Sequence, residues 1–194
     1  MSLVKNNIAN ILTISRILLL PLMVLFFYLE ETQGSVVIWL CFFTFVISAI
    51  TDYFDGYFAR KLNQISGFGT FLDPISDKIF VSTILIMLVA FERITGVWVI
   101  LVMLIFAREF MVSGLREFLG PKGVKMPVTM MAKWKTTVQM LALGFLILSG
   151  YSPYAYEIGI ILLSLATILT LITGLSYLII GLKHMKVKSD KDKA

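Results

Sequence analysis

"SAITDYFDGYFARKLNQISGFGTFLDPISDKIF", residues 48–80, sets four aspartates between apolar runs. The chain around it has 194 residues, 58% hydrophobic and 15% charged, with a mean hydropathy of +0.90. Soluble domains carry about 25% charged residues and lack apolar runs of twenty. Such runs recur along this whole chain, so its class is an integral membrane protein with several spans. In that setting Asp52, Asp55, Asp73 and Asp77 demand a reason. An aspartate at the centre of a bilayer helix costs about 2.5–3.5 kcal/mol, and four uncompensated ones on the order of 10 kcal/mol. A wet interface, a cationic partner or a bound metal would offset that cost.

The spacing points to metal. Asp52 and Asp55 stand three apart and share one helix face, and Asp73 and Asp77 stand four apart on the next predicted helix. A short connection makes those helices antiparallel neighbours and brings four carboxylates towards one pocket, where their repulsion calls for a divalent cation. The chain has one cysteine, Cys41, and one histidine, His184, which exclude an internal disulfide and a Cys/His metal site. The ligands are then oxygens, which suits one or two Mg²⁺ or Mn²⁺ ions. For the second pair, Asp73-Pro74 also reads as an N-cap followed by proline in the first turn. Gly56, Ala59 and Gly69 lie on the same faces, where small side chains admit a helix or a flat ligand. Arg60 suits a helix C-terminus or a phosphate.

At roughly 20 apolar residues per span, six spans are predicted at about 11–29, 36–59, 70–90, 95–116, 134–150 and 156–182. The N-terminal apolar stretch reads as a retained first span preceded by a short interfacial helix, because it is too long for a signal sequence. The expected fold is therefore all-α, a single six-helix transmembrane domain over 1–185 with a basic tail at 186–194. Of the 17 lysines and arginines, only Arg93 falls on the side that carries Glu30, Glu31, Glu92 and Glu157. This places both termini and the aspartates on the cytoplasmic side of a multi-pass cell-membrane protein. The net charge of +5 reads as attraction to membrane lipids, or as a solvated tail; no nucleic-acid partner is expected.

With those residues in view, the segment resembles the signature of the CDP-alcohol phosphatidyltransferases, D-x2-D-G-x2-A-R-x8-G-x3-D-x3-D. Every fixed position matches: Asp52, Asp55, Gly56, Ala59, Arg60, Gly69, Asp73 and Asp77. The resemblance implies a CDP-alcohol phosphotransferase-like fold, a homodimer, and a divalent-metal site on Asp52, Asp55 and Asp73 with Asp77 close by. It implies Asp77 as the general base, and Asp52, Asp55, Gly56, Ala59, Arg60 and Gly69 lining the CDP pocket. "NILTISR" matches a pattern that family members often carry near the nucleotide, which adds Asn10 and Thr13. A polar cap and a snorkelling Arg16 explain the same residues without a ligand.

Further along, "AREFMVSGLRE" and "KWKTTVQM" place Arg108 and Arg116 eight apart, on one face of the fourth span's cytoplasmic half, and Lys133 and Lys135 at the start of the fifth. Fixed cations beside a metal site bind a phosphate monoester; anchoring and pairing with Glu109 or Glu117 is the plainer explanation. Both segments resemble the phosphatidylglycerophosphate synthase branch, with Ala132 where a glycine often stands. That resemblance implies CDP-diacylglycerol and glycerol 3-phosphate as substrates. Another acceptor (serine, inositol phosphate or phosphatidylglycerol) is the nearest alternative. A cation transporter is the alternative from a different class. Gly174 and Gly181 in the last span are expected to pack against another helix.

Overall fold

The computed structural model describes residues 8–61, 67–124 and 129–191, with the side chains near the aspartates and at both ends outside that description. Among the described residues six long helices follow one another: α1 Ile8–Gln33, α2 Ser35–Lys61, α3 Gly67–Ala90, α4 Val99–Leu119, α5 Met130–Leu148 and α6 Pro153–Lys191. Short 3₁₀ turns lie at Gly96–Trp98 and Gly120–Lys122, and no strand occurs among the described residues. The expected interfacial helix falls largely on residues 1–7, outside the described set. From Ile8 the backbone runs into α1 without a break. Among the described residues two stretches, Gly96–Leu119 and Pro153–His184, have the length and hydropathy of membrane spans, and Ile17–Glu30 and Ser35–Thr51 are shorter apolar helices.

The distribution of side chains is that of a molecule in lipid. Leu18, Phe43, Ile47, Met103, Phe110, Ile161 and Ile179 are exposed, while Ser48, Arg108, Lys135, Gln139 and Thr170 are buried. Water would penalise so large an apolar exterior. A hydrocarbon solvent removes that penalty and drives polar groups inward.

The chain divides into two compact units, Met1–Thr95 with Leu143–Gly159, and Gly96–Ala142 with Ile160–Ala194. In the first, alternating helix direction is visible at one end. There Phe91, just past α3, packs on Phe27 and Tyr28 of α1 with ring centroids 5.6 and 5.1 Å away. Arg93 pairs with Glu30 of α1 and lies against Gly150, just past α5. Trp39, near the start of α2, meets Tyr151 at 5.7 Å. The ends of α1, α3 and α5 therefore gather with the start of α2, as helices that reverse at each connection require. Gly34 makes the first reversal in the left-handed region (φ +68), its N–H donating to the Glu30 carbonyl at 3.0 Å.

In the second unit, α4 buries Val102, Ile105, Arg108, Val112, Leu115 and Leu119, spaced by threes and fours along one face. α6 lies against that face at two glycines. A methyl added to Gly174 would stand 2.7 Å from Cγ of Arg108, and one added to Gly181 2.6 Å from Cδ1 of Leu115. Both partners advance by seven residues, so α4 and α6 run parallel. The helix these glycines pack against is thus α4 of the same chain. α6 itself has 39 residues, about 58 Å at 1.5 Å per residue, nearly twice the ~30 Å hydrocarbon layer. Its backbone stays helical through Lys191, into the basic segment.

Candidate functional site

The aspartate motif occupies the C-terminal end of α2 and the first half of α3, joined through residues 62–66. The side chains of Asp52, Asp55, Gly56, Ala59, Arg60, Gly69 and Asp73 lie outside the description, so the metal and nucleotide assignments rest on backbone position. That position is informative. Phe45 of α2 and Phe80 of α3 stack with ring centroids 5.8 Å apart and planes 12° apart, which fixes the level at which these helices meet. Seven residues along α2 from Phe45 is Asp52, and seven back along α3 from Phe80 is Asp73. Two turns advance about 10 Å and return to nearly the same face. Antiparallel helices in this register put positions 52 and 73 at one height, and four residues further, 56 and 69 at the next. Glycine stands at both of the latter positions, a residue type that permits close approach to the backbone.

Asp77 is exposed on α3 beside the buried Ser76, and Ser48 is buried one turn before Asp52. The Ser48 hydroxyl donates to the Thr44 carbonyl at 2.9 Å. The capping alternative for Asp73-Pro74 does not hold. α3 begins at Gly67, so both residues lie well inside it. Residues 67–72 already carry the helix, and Pro74 merely deprives the Thr70 carbonyl of its intrahelical donor. The register spreads positions 77, 52 with 73, and 55 over three successive levels about one turn apart, and a set of carboxylate oxygens suits a divalent ion.

The second unit holds a different cluster. Arg108 and Lys135 are each only 7% exposed. The Glu109 carboxylate accepts from Nη1 of Arg108 at 3.0 Å and from Nζ of Lys135. Arg108 Nη2 donates to the Thr173 hydroxyl at 3.1 Å, and its guanidinium carbon lies 5.9 Å from the Tyr177 ring centre. Two buried cations thus share one carboxylate, leaving an excess positive charge. Among the described residues Nε of Arg108 is buried without a hydrogen-bond partner, as are Oε1 of Gln139 and Oγ1 of Thr170 elsewhere on α5 and α6, so Arg108 retains one free donor.

Of the four cations expected to act together, the structure joins Arg108 and Lys135. Arg116 and Lys133 are exposed and make no ion pair among the described residues. Eight residues turn a helix by about 80° beyond two full turns, which carries Arg116 off the face of Arg108. Asn10 and Thr13 lie in α1, their side chains outside the description. Sequence reasoning treated Glu109 only as a pairing partner and passed over Thr173 and Tyr177. The available signal was Thr167, Thr170 and Thr173 recurring every third residue inside an apolar run.

Comparison with known proteins adds an independent finding. The family profile described as CDP-alcohol phosphatidyltransferase matches residues 6–175. A Rickettsia prowazekii protein named CDP-diacylglycerol–glycerol-3-phosphate 3-phosphatidyltransferase is 44% identical, over 90% of this chain and 94% of its own. Proteins of the same name from Haemophilus influenzae (41% identical, 90% and 92% covered) and Cereibacter sphaeroides (36%, 93% and 97%) are also similar.

Proposed function

Because the chain belongs to the CDP-alcohol phosphatidyltransferase family, we propose that it transfers the phosphatidyl group of CDP-diacylglycerol to sn-glycerol 3-phosphate, releasing CMP and phosphatidylglycerol phosphate. The observation that carries the choice of acceptor is the pair of buried cations sharing one carboxylate. Excess positive charge in a membrane-embedded segment is costly unless an anion arrives to balance it. An acceptor with its own phosphate monoester supplies that anion, whereas serine does not; between glycerol 3-phosphate and inositol phosphate, the names of the similar proteins favour the former.

Each residue then has a task. Asp52, Asp55 and Asp73, with Asp77 close by, would hold one or two Mg²⁺ or Mn²⁺ ions. Bound there, a divalent ion would polarise the diphosphate and neutralise the departing CMP. Gly56, Ala59, Arg60 and Gly69, together with Asn10 and Thr13, form the CDP pocket; the two glycines leave the backbone open to the nucleotide. Asp77 takes the proton from the acceptor hydroxyl as its oxygen bonds to the phosphatidyl phosphorus and the bond to CMP breaks. Arg108 and Lys135 hold the acceptor's phosphate by charge-assisted hydrogen bonds, while Arg116 and Lys133 draw the anion in from solvent.

In this reading α1 to α6 are six spans of one catalytic domain over 1–185, with the basic tail 186–194, both termini and the active site cytoplasmic. The enzyme works in the cell membrane as a homodimer. An acceptor screen tests the proposal. Purified protein with Mg²⁺ and CDP-diacylglycerol should release CMP with glycerol 3-phosphate, and at background rates with serine or phosphatidylglycerol. Preferential turnover of serine or phosphatidylglycerol would overturn it.

A further inference from the structure

We propose that α6 positions Arg108 for the acceptor's phosphate through Thr173, Gly174 and Tyr177, an inference that rests on the phosphate-binding role given to Arg108 above. No residue of α6 belongs to the aspartate signature, yet three of them surround this one side chain. A guanidinium on a flexible stem binds phosphate well only when its plane is fixed beforehand. Here Gly174 receives the stem, since a methyl in its place would sit 2.7 Å from Cγ and 3.4 Å from Nε. Thr173 holds one end of the fork at 3.1 Å. Its hydroxyl in turn lies 2.8 Å from the Leu169 carbonyl and 3.1 Å from that of Thr170, so its proton is engaged and its oxygen faces Arg108 as an acceptor. Tyr177 presents its ring to the cation. Nε, nine-tenths buried with its residue and without a partner among the described residues, is the donor left for an incoming oxyanion.

Gly181 supplies the internal comparison. It makes the same close approach to α4, but against Leu115. Four variants and one reference separate positioning from packing, with KM for glycerol 3-phosphate, kcat and thermal stability measured in detergent. Thr173→Val, nearly isosteric, should raise KM about tenfold with kcat within about twofold, the size expected for losing one hydrogen bond to a charged group. Thr173→Ser, which keeps the oxygen, should restore the wild-type KM. Gly174→Ala should raise KM similarly, and Gly181→Ala should lower stability while leaving KM unchanged. The reference is Arg108→Gln, which leaves Glu109 and Lys135 as a balanced pair. A raised KM in Arg108→Gln with no change in Thr173→Val would overturn positioning and leave the phosphate site standing. An unchanged KM in Arg108→Gln would overturn the phosphate role itself. Equal KM effects from Gly174→Ala and Gly181→Ala, or a Thr173→Ser as impaired as Thr173→Val, would reduce the contacts to helix packing.

Discussion

The α2–α3 pair and the α4–α6 pair solve opposite electrostatic problems. The first gathers Asp52, Asp55, Asp73 and Asp77 on two successive helices whose stacked Phe45 and Phe80 set positions 52 and 73 at one height. Its formal charge is negative, and the proposed divalent cation would balance it. The second buries Arg108 and Lys135 around a single Glu109. Its imbalance is positive, and an anion balances it. The difference teaches that the proposed site needs two ligands of opposite charge. In the proposed reaction each receives a counter-charge, a metal with a diphosphate for one and a phosphate monoester for the other.

Perturbing each half should therefore produce separable defects. The largest is expected from Asp73→Asn, which removes a carboxylate from the metal-binding set. The loss of kcat/KM should be about a thousandfold, as for withdrawing several kcal/mol of charge stabilisation. The Mg²⁺ concentration for half-maximal activity should rise, with little change in KM for glycerol 3-phosphate. A variant with normal Mg²⁺ dependence would detach Asp73 from the metal. A smaller effect, mainly on stability, is expected from Glu109→Gln. It leaves two buried cations without their shared carboxylate, at a cost of about 2 kcal/mol given the partial exposure of Glu109. Glycerol 3-phosphate should then recover more thermal stability in this variant than in the wild type, because the ligand replaces the lost anion. Equal ligand-induced shifts would mean that the acceptor does not bind beside Glu109.

The two halves also differed in how openly the sequence displayed them. The aspartate motif is local: spacing of three and four on consecutive helices, with glycines one turn away, is readable from Asp52 to Asp77 because helix periodicity fixes which residues share a face. The six helices of the described residues were legible for the same reason, since apolar runs broken near Gly34, Gly67, Gly96, Gly120 and Gly150 leave few other solutions. The cation cluster is tertiary. Lys135 reaches Glu109 across 26 residues and Arg108 reaches Thr173 across 65, distances over which no periodicity operates. Treating Arg108 and Arg116 as one face misjudged the helical turn over eight residues. The packing of Gly174 and Gly181 was foreseen in kind, but the parallel approach of α4 that fixes their partners follows only from folding.

The claim that the halves answer to different ligands is tested most directly by titrating Arg108→Gln and Asp73→Asn against both glycerol 3-phosphate and Mg²⁺. The account predicts that Arg108→Gln raises KM for glycerol 3-phosphate by tens of fold, the value of charged hydrogen bonds lost, with the Mg²⁺ half-activation point unmoved. Asp73→Asn should show the converse. A shifted Mg²⁺ requirement in Arg108→Gln with an unaltered glycerol 3-phosphate KM would contradict it.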